Sequence, residues 1–437
     1  MTEHKIISGF SKLNRKQKIE WLVERFNLDS KTLDFLDSFQ LDDESVQTII
    51  ADLSENQLSN YHLPFTVAPN FLINGKFLAF PLVTEESSVV AALAKAAGFW
   101  ASRGGFHAEI VGTEKKGQVH FSWFGNPAKL KKRVPEIKKQ LLVEVAPFIQ
   151  NMEARGGGIT DVRLNYLPEI QPNYYQLDVS FETCDAMGAN FINSCLEQFG
   201  KTLKSWVERD DDFTSEEKKL EIIMAILSNY VPNSRVKVWV ECPLADLDHD
   251  LDQASVFAEK FVQAVQISRR DVSRAVTHNK GIFNGIDALA IATGNDYRAI
   301  EAGGHAFAAK NGQYAGLSDA HVSNGKFWFG LEMPFAVGVV GGVTSLHPLA
   351  KLAMQLLEQP SASDLMIYLA VAGLASNWSA VRALVTTGIQ RGHMKMHLSN
   401  ILNSLQVSDE QKQAAKHYFQ DREVSSSEVQ KYLSEHA

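Results

Sequence analysis

Apolar and polar positions recur with different periods along the chain, and the changes of period divide it into parts. In RKQKIEWLVERFNL, Ile19, Leu22 and Phe26 fall on one face at helical spacing, so residues 1 to 60 predict small helices on the outside of the protein. From Phe71 the texture changes. FLINGKFLAFPLV reads as two strands around an Asn74-Gly75 hairpin turn, and SSVVAALAKAAGFWASRGG then runs as a small-residue helix ended by glycine.

Between about 117 and 242 a self-contained pattern follows. VHFSW puts Val119, Phe121 and Trp123 on one face, and a Lys-rich helix over 128–154 ends at Gly156-Gly157-Gly158. VRLNY and YYQLDVSF predict strands, a helix starts after Asp185, a second helix covers 215–228, and VKVWVEC closes as a strand. The order β-α-β-β-α-α-β suggests a ferredoxin-like insert. Beyond 250 the chain is rich in Ala and Gly, whose density marks turns and close backbone approach, and from about 380 it is helical, with Ser425 and Glu428 in capping-box spacing. The fold class expected is α/β (α+β): a large mixed domain from 1–115 and 225–380, a small ferredoxin-like domain at 116–224, and a helical C-terminal flap at 381–437.

Composition narrows the function classes. With 437 residues the chain has room for about three domains. Its 45% hydrophobic and 22% charged residues exclude a disordered or collagen-like protein. A net charge of −8 argues against nucleic acid as a partner, since phosphate backbones demand a basic face. Cys184, Cys195 and Cys242 lack disulfide or zinc spacing, and the first residues lack the apolar core of a signal peptide. The uncharged stretches 334–350 and 365–381 read as too interrupted for a membrane span. A soluble cytoplasmic protein with no membrane partner and no metal is expected.

Four constellations could carry chemistry, each with a bland alternative. Glu85-Glu86-Ser87-Ser88 opens an apolar helix, where acids suit the macrodipole, but a desolvated carboxyl could donate a proton. Thr277-His278-Asn279-Lys280-Gly281 leads to Asn284-Gly285, which reads as a turn, then Asp287 and Gly294-Asn295-Asp296. If Lys280 were buried there it would need a carboxylate, with Asp296 the candidate, and the cation could stabilise an oxyanion. Gly392-His393 reads as a hinge carrying a histidine, or a structural histidine. Asp185-Ala186-Met187-Gly188-Ala189-Asn190 opens a helix with Asp185 as a plausible cap, while Gly188 and Ala189 leave the helix N–H groups open to a pyrophosphate. GxGxxG and Walker A motifs are absent.

In order and spacing, ENQLSNYHLPFTVAPNFLINGKFLAFPLVTEESSVVAA, DAMGAN, THNKGIFNGIDALAIATGNDYRAIEAGGHAFAA, EMPFAVGVVGGVTSLHPLA and GIQRGHMKMHLSN resemble class II 3-hydroxy-3-methylglutaryl-coenzyme A (HMG-CoA) reductase. The resemblance implies reduction of HMG-CoA to mevalonate and free CoA with two NADPH or NADH, in an intertwined homodimer. It implies catalytic roles for Glu86, Lys280, Asp296 and His393, substrate contacts at Ser88, Arg274 and Asn284, and cofactor contacts at Asp185, Met187, Gly188, Ala189 and Asn190. A basic N-terminal contact to CoA falls on Ser11, with Lys12 beside it. The position of an NAD-selecting aspartate falls on Ile149, which favours NADPH, with Glu153 one turn on as a substitute. A non-redox CoA-thioester enzyme and an inactive CoA-binding paralogue are the competing readings.

Overall fold

The computed structural model describes residues 6–248, 250–386, 398, 401–405, 407–419, 422 and 424–436. Three outer helices come first: α1 (Arg15–Phe26), α2 (Thr32–Asp37) and α3 (Glu44–Asp52). Ile19 on α1 is buried as its spacing predicts, but Phe26 stays 60% exposed. Strands β1 (Phe65–Ile73) and β2 (Lys76–Val83) form the expected hairpin, with Asn74 and Gly75 both at positive φ, as a type I′ turn requires. Helix α4 (Ser87–Ala101) follows and ends before Gly104 and Gly105.

Strand β3 (His107–Thr113) leads into β4 (Lys115–Trp123), α5 (Pro127–Glu153), β5 (Gly158–Tyr166), β6 (Tyr174–Glu182), α6 (Ala189–Arg209) and β7 (Leu220–Leu227). The sheet order β5-β6-β4-β7, antiparallel throughout, is the ferredoxin-like arrangement. Its core is built from Val119, Phe121, Trp123, Leu141, Val145, Val179 and Leu196.

Two sequence expectations fail here. Residues 220–227 form strand β7, not part of a helix, because a continuous run such as LEIIMAIL has no period that separates the two. VKVWVEC lies in β8 (Ser234–Pro243), which leaves the small sheet and joins β3 and β10 in a second one.

The large part continues with α7 (Leu251–Ser268), α8 (Val272–Ala292), α9 (Tyr297–Ala308), β9 (Ser318–Ser323) and β10 (Lys326–Pro334). Short α10 (Gly342–Leu346) and α11 (Pro348–Leu356) precede α12 (Ala362–Val385). The sheet order is β3-β8-β10-β9. Asn284-Gly285 is not a turn, since α8 runs straight through it. Glycine serves packing instead. A Cβ on Gly285 would stand 2.3 Å from the Ala372 carbonyl oxygen, and one on Gly373 would stand 2.9 Å from Ile286 Cγ1, so α8 and α12 approach backbone to backbone.

Helix α12 is the spine of this part. By length and composition it could cross a membrane, contrary to the sequence expectation, but 78% of its apolar window is buried inside the protein. Ser379 Oγ donates to the Ala92 carbonyl on α4 at 2.8 Å, and Asn377 Nδ2 to the His278 carbonyl on α8 at 3.3 Å. One buried helix therefore holds the two elements that carry the first two constellations. At the C-terminus Leu398, Leu402, Ala415, Phe419, Val429 and Tyr432 form a separate small core, and Ser425 caps the last helix through the Glu428 N–H, as predicted.

Candidate active site

Glu86 is the N-cap residue of α4, yet its side chain makes no capping bond to the helix. One carboxylate oxygen accepts the Ser88 hydroxyl, and the other faces Lys280 Nζ at 3.7 Å. An acid at this position would ordinarily satisfy its own helix N–H groups. Here it turns to a serine and to a lysine from α8.

Lys280 is not buried, and its carboxylate is not Asp296. Its side chain is 65% exposed and that of Glu86 is 40% exposed. The reason lies in helix phase: His278 and Asn279 take the inward positions of this turn, which leaves Lys280 on the rim. Asp296 caps α9 through the N–H groups of Arg298 and Ala299 and pairs with the Arg298 guanidinium at 3.1 Å. No ion pair joins it to Lys280 among the described residues.

Of the expected substrate contacts on α8, Asn284 shares the Lys280 face and Arg274, six residues before Lys280, does not. Lys280, Asn284 and Asp287 follow one another at i, i+4 and i+7 on one face. Asn284 and Arg274 are half-buried. His278 is structural: Nε2 bonds to Ser318 Oγ at 2.6 Å, and burial, with Arg274 adding to it, pulls its pKa down to about 3. It stays neutral at physiological pH. Asp287 is pushed the other way, well above the carboxylate range, by burial first and by the Glu301 carboxylate second. The sequence marks Asp287 but not this partner, because Glu301 lies on the next helix.

The DAMGAN segment lies where the two sheets' parts meet. Gly188, not Asp185, is the N-cap of α6, in the left-handed region at φ 95°, and it supplies no side-chain cap. Asp185 instead accepts the Ala362 N–H at 2.8 Å, at the N-terminus of α12, where helix polarity favours a carboxylate. Its carbonyl accepts the Val339 N–H at 2.9 Å. Met187 and Ala189 are half-buried and Asn190 is exposed. Asn295, beside Asp296, accepts the Gly338 N–H at 3.0 Å, so the short segment Gly338–Val339 touches both the second and the fourth constellations.

Ile149 is 5% exposed within the small core, so it cannot read a ribose from that position. Glu153 and Arg155, beyond it, are exposed, and the Arg155 carbonyl accepts Cys184 Sγ at 3.3 Å, next to Asp185. His393 lies outside the described residues. Among the described residues no three His, Cys, Asp or Glu side chains gather as a metal site.

With this geometry in view, comparison with known proteins is informative. The sequence model of hydroxymethylglutaryl-coenzyme A reductase matches residues 14–398. A 3-hydroxy-3-methylglutaryl-coenzyme A reductase from Archaeoglobus fulgidus is 34% identical over 400 residues, covering 90% of this chain and 86% of that protein. A probable reductase of the same name from Borreliella burgdorferi is 31% identical, covering 91% and 86%. The Streptococcus pneumoniae reductase structure superposes with a TM-score of 0.74 at 33% identity, covering 99% of this chain and all of the other. The class II enzyme of that organism bound to NADPH in open conformations gives 0.73 at 35% identity, covering 87% and all. By sequence and by fold, this chain belongs to the hydroxymethylglutaryl-coenzyme A reductases, a family of nicotinamide-dependent oxidoreductases.

Proposed function

We propose that Glu86 and Lys280 form the chemical centre at which this chain reduces HMG-CoA to mevalonate and free CoA. The observation that carries the assignment is their ion pair, made by an acid at the N-cap position whose side chain gives no capping bond to its own helix. A bound reduced nicotinamide would supply the hydride at each of two reductions. Lys280 stabilises the oxygen that gains negative charge, first on the thioester carbonyl and then on the aldehyde. Glu86, held by Ser88, gives its proton to the aldehyde oxygen. In this reading Asp296 exchanges Arg298 for Lys280 as the site closes, and His393 protonates the departing thiolate. Arg274 takes the substrate carboxylate, and Asn284 and Ser88 take its oxygens.

The cofactor fits at DAMGAN. The first N–H groups of α6 have no side-chain cap, and Gly188 presents no side chain where a pyrophosphate would approach. A Cβ there would meet Thr183 Cγ2 at 2.7 Å, so the position is also closed to larger residues. NADPH is the preferred cofactor in this reading. Ile149 offers no carboxylate to the ribose, and Arg155 supplies a cation near the loop for the 2′-phosphate. The four strands from Lys115 to Leu227 would form the cofactor unit, corresponding to the proposed 116–224 domain, between the large part at 1–115 and 225–380 and the flap at 381–437.

A second copy of the chain is the natural cover for the open site. Val272 and Val276, two and one turns before Lys280, are 46% and 54% exposed, an apolar approach that a homodimer would bury. Burial of the apolar helix α12 inside the protein supports a reading in which the chain works away from a membrane, in the cytoplasm. The roles separate by substrate. Glu86→Gln should impair reduction of both HMG-CoA and free mevaldehyde, whereas His393→Gln should impair the thioester at least about 10²-fold more than the aldehyde. Equal loss on both substrates for His393→Gln would remove its role at the thiolate.

A further inference from the structure

Strand β4 has an inward face at Val119, Phe121 and Trp123, and two further steps back along it reach Gly117 and Lys115. Lys115 is accordingly 5% exposed. Its ammonium donates to Thr183 Oγ1 at 2.6 Å, to the Ala186 carbonyl at 2.7 Å and to the Val337 carbonyl at 3.4 Å. All three acceptors are uncharged, and no carboxylate pairs with it among the described residues. A buried cation without a counterion is costly, so its three bonds are what holds it there.

Those bonds join two segments that matter. Thr183 and Ala186 belong to the loop that becomes DAMGAN, and Val337 follows β10 in the large part. The same large-part segment donates Val339 N–H to the Asp185 carbonyl and Gly338 N–H to Asn295. It lies so close that a Cβ on Gly338 would stand 2.3 Å from Met187 N. Within the loop Cys184 takes φ 49°, a left-handed conformation that a residue with a Cβ holds only when its surroundings insist.

We propose that Lys115 is a positioning residue for the nicotinamide cofactor, fixing loop 183–188 against Val337–Val339 so that the N-terminus of α6 is set to receive the pyrophosphate. The inference rests on the assignment of DAMGAN as the cofactor loop. Lys115 touches neither substrate nor cofactor and acts only through the loop.

Burial lowers the Lys115 pKa to about 8, against the opposing pull of Glu182 and Cys184. Glu182 is engaged by the Thr113 hydroxyl and the Cys184 N–H, and the carboxylate of Asp185 by Ala362. The Cys184 thiol is pushed up by burial, so it stays protonated through this range. A neutral amine has two hydrogens for three acceptors. Cofactor affinity should therefore weaken as pH rises through about 8, well above the titration of a phosphate monoester near about 6.

The test measures NADPH binding by fluorescence titration, and the KM for each substrate, in the full-length wild type, Lys115→Met, Lys115→Arg and Asn190→Ala. Lys115→Met should raise the Kd and KM for NADPH about 10-fold or more, the scale of one charged hydrogen bond, with kcat and the KM for HMG-CoA changed less than about threefold. Lys115→Arg should recover part of the loss. The wild-type rise in Kd between pH 7 and 9 should vanish in Lys115→Met. Unchanged NADPH affinity in Lys115→Met, while Asn190→Ala binds weakly, would overturn the role of Lys115 and leave the cofactor loop standing. Unchanged affinity in Asn190→Ala would remove the loop assignment and the inference with it. An equal rise in both KM values for Lys115→Met would reduce Lys115 to a general structural residue, against the proposal.

Discussion

Glu86 and Lys280 meet at 3.7 Å although one stands at the N-terminus of α4 and the other in the middle of α8. The two helices touch each other only slightly, and each packs far more extensively on α12, to which Ser379 and Asn377 tie them. The pair is thus a product of core packing, and the two side chains themselves stand in the open. Function and stability should separate cleanly there.

Replacing Lys280 by alanine tests that separation. The side chain is 65% exposed, so the melting temperature should stay within about 2 °C of wild type, because surface changes cost about 0.5 kcal/mol or less. Turnover should fall at least about 10²-fold, the scale for losing one oxyanion donor. Steady-state kinetics and a thermal melt on the same preparation give both numbers. Retained turnover would make the lysine structural.

Gly285→Ala probes the spine. Alanine favours a helix interior over glycine by about 1 kcal/mol. Its methyl group, however, would stand 2.3 Å from a backbone oxygen of α12 that no rotamer can move. Overpacking wins, at about 1 to 3 kcal/mol before the helix gain is subtracted. The melting temperature should fall, and a rise would show that α8 and α12 do not approach this closely.

This contact also shows what the sequence left unread. The periods of VHFSW, VRLNY and YYQLDVSF are local and mark β4, β5 and β6, as Asn74-Gly75 marks the separate β1–β2 hairpin, whereas β7 reads as helix and VKVWVEC belongs to the other sheet. Asn284-Gly285 reads as a turn because glycine signals both a bend and a close approach, and only the partner helix decides between them. Glu86, Lys280 and Ser88 were legible as motif residues, but which acid faces Lys280 depends on how α4 and α8 lie on α12. The sequence names Asp296 as the candidate carboxylate for Lys280, but Asp296 pairs with Arg298 and Glu86 faces the lysine. Lys115 carried a legible sign, its place on the inward parity of β4, which reads as ordinary only while a lysine is assumed to be outside.

Asp287 supplies a pH test. Its folded pKa is raised to about 8 by burial and by Glu301, above the unfolded carboxylate value of about 4. The folded state therefore holds a proton that the unfolded state has lost in between. This contribution is fully present below about 4 and is lost as pH rises toward 8. Asp287→Asn should flatten the decline in melting temperature between pH 5 and 8 relative to wild type. An unchanged slope would mean that the carboxyl is not protonated in the fold.

In the proposed function the chain performs a complete four-electron reduction at the Glu86–Lys280 pair. The most direct measurement is the loss of nicotinamide absorbance when purified protein meets a limiting, known amount of HMG-CoA in excess NADPH, with mevalonate and free CoA quantified at the end point. About two NADPH should be oxidised per thioester consumed, because release after one reduction would set free a reactive aldehyde. Glu86→Gln and Lys280→Ala should abolish the signal. A ratio of one, CoA release without loss of absorbance, or full activity in either variant would rule out the four-electron reduction at this pair.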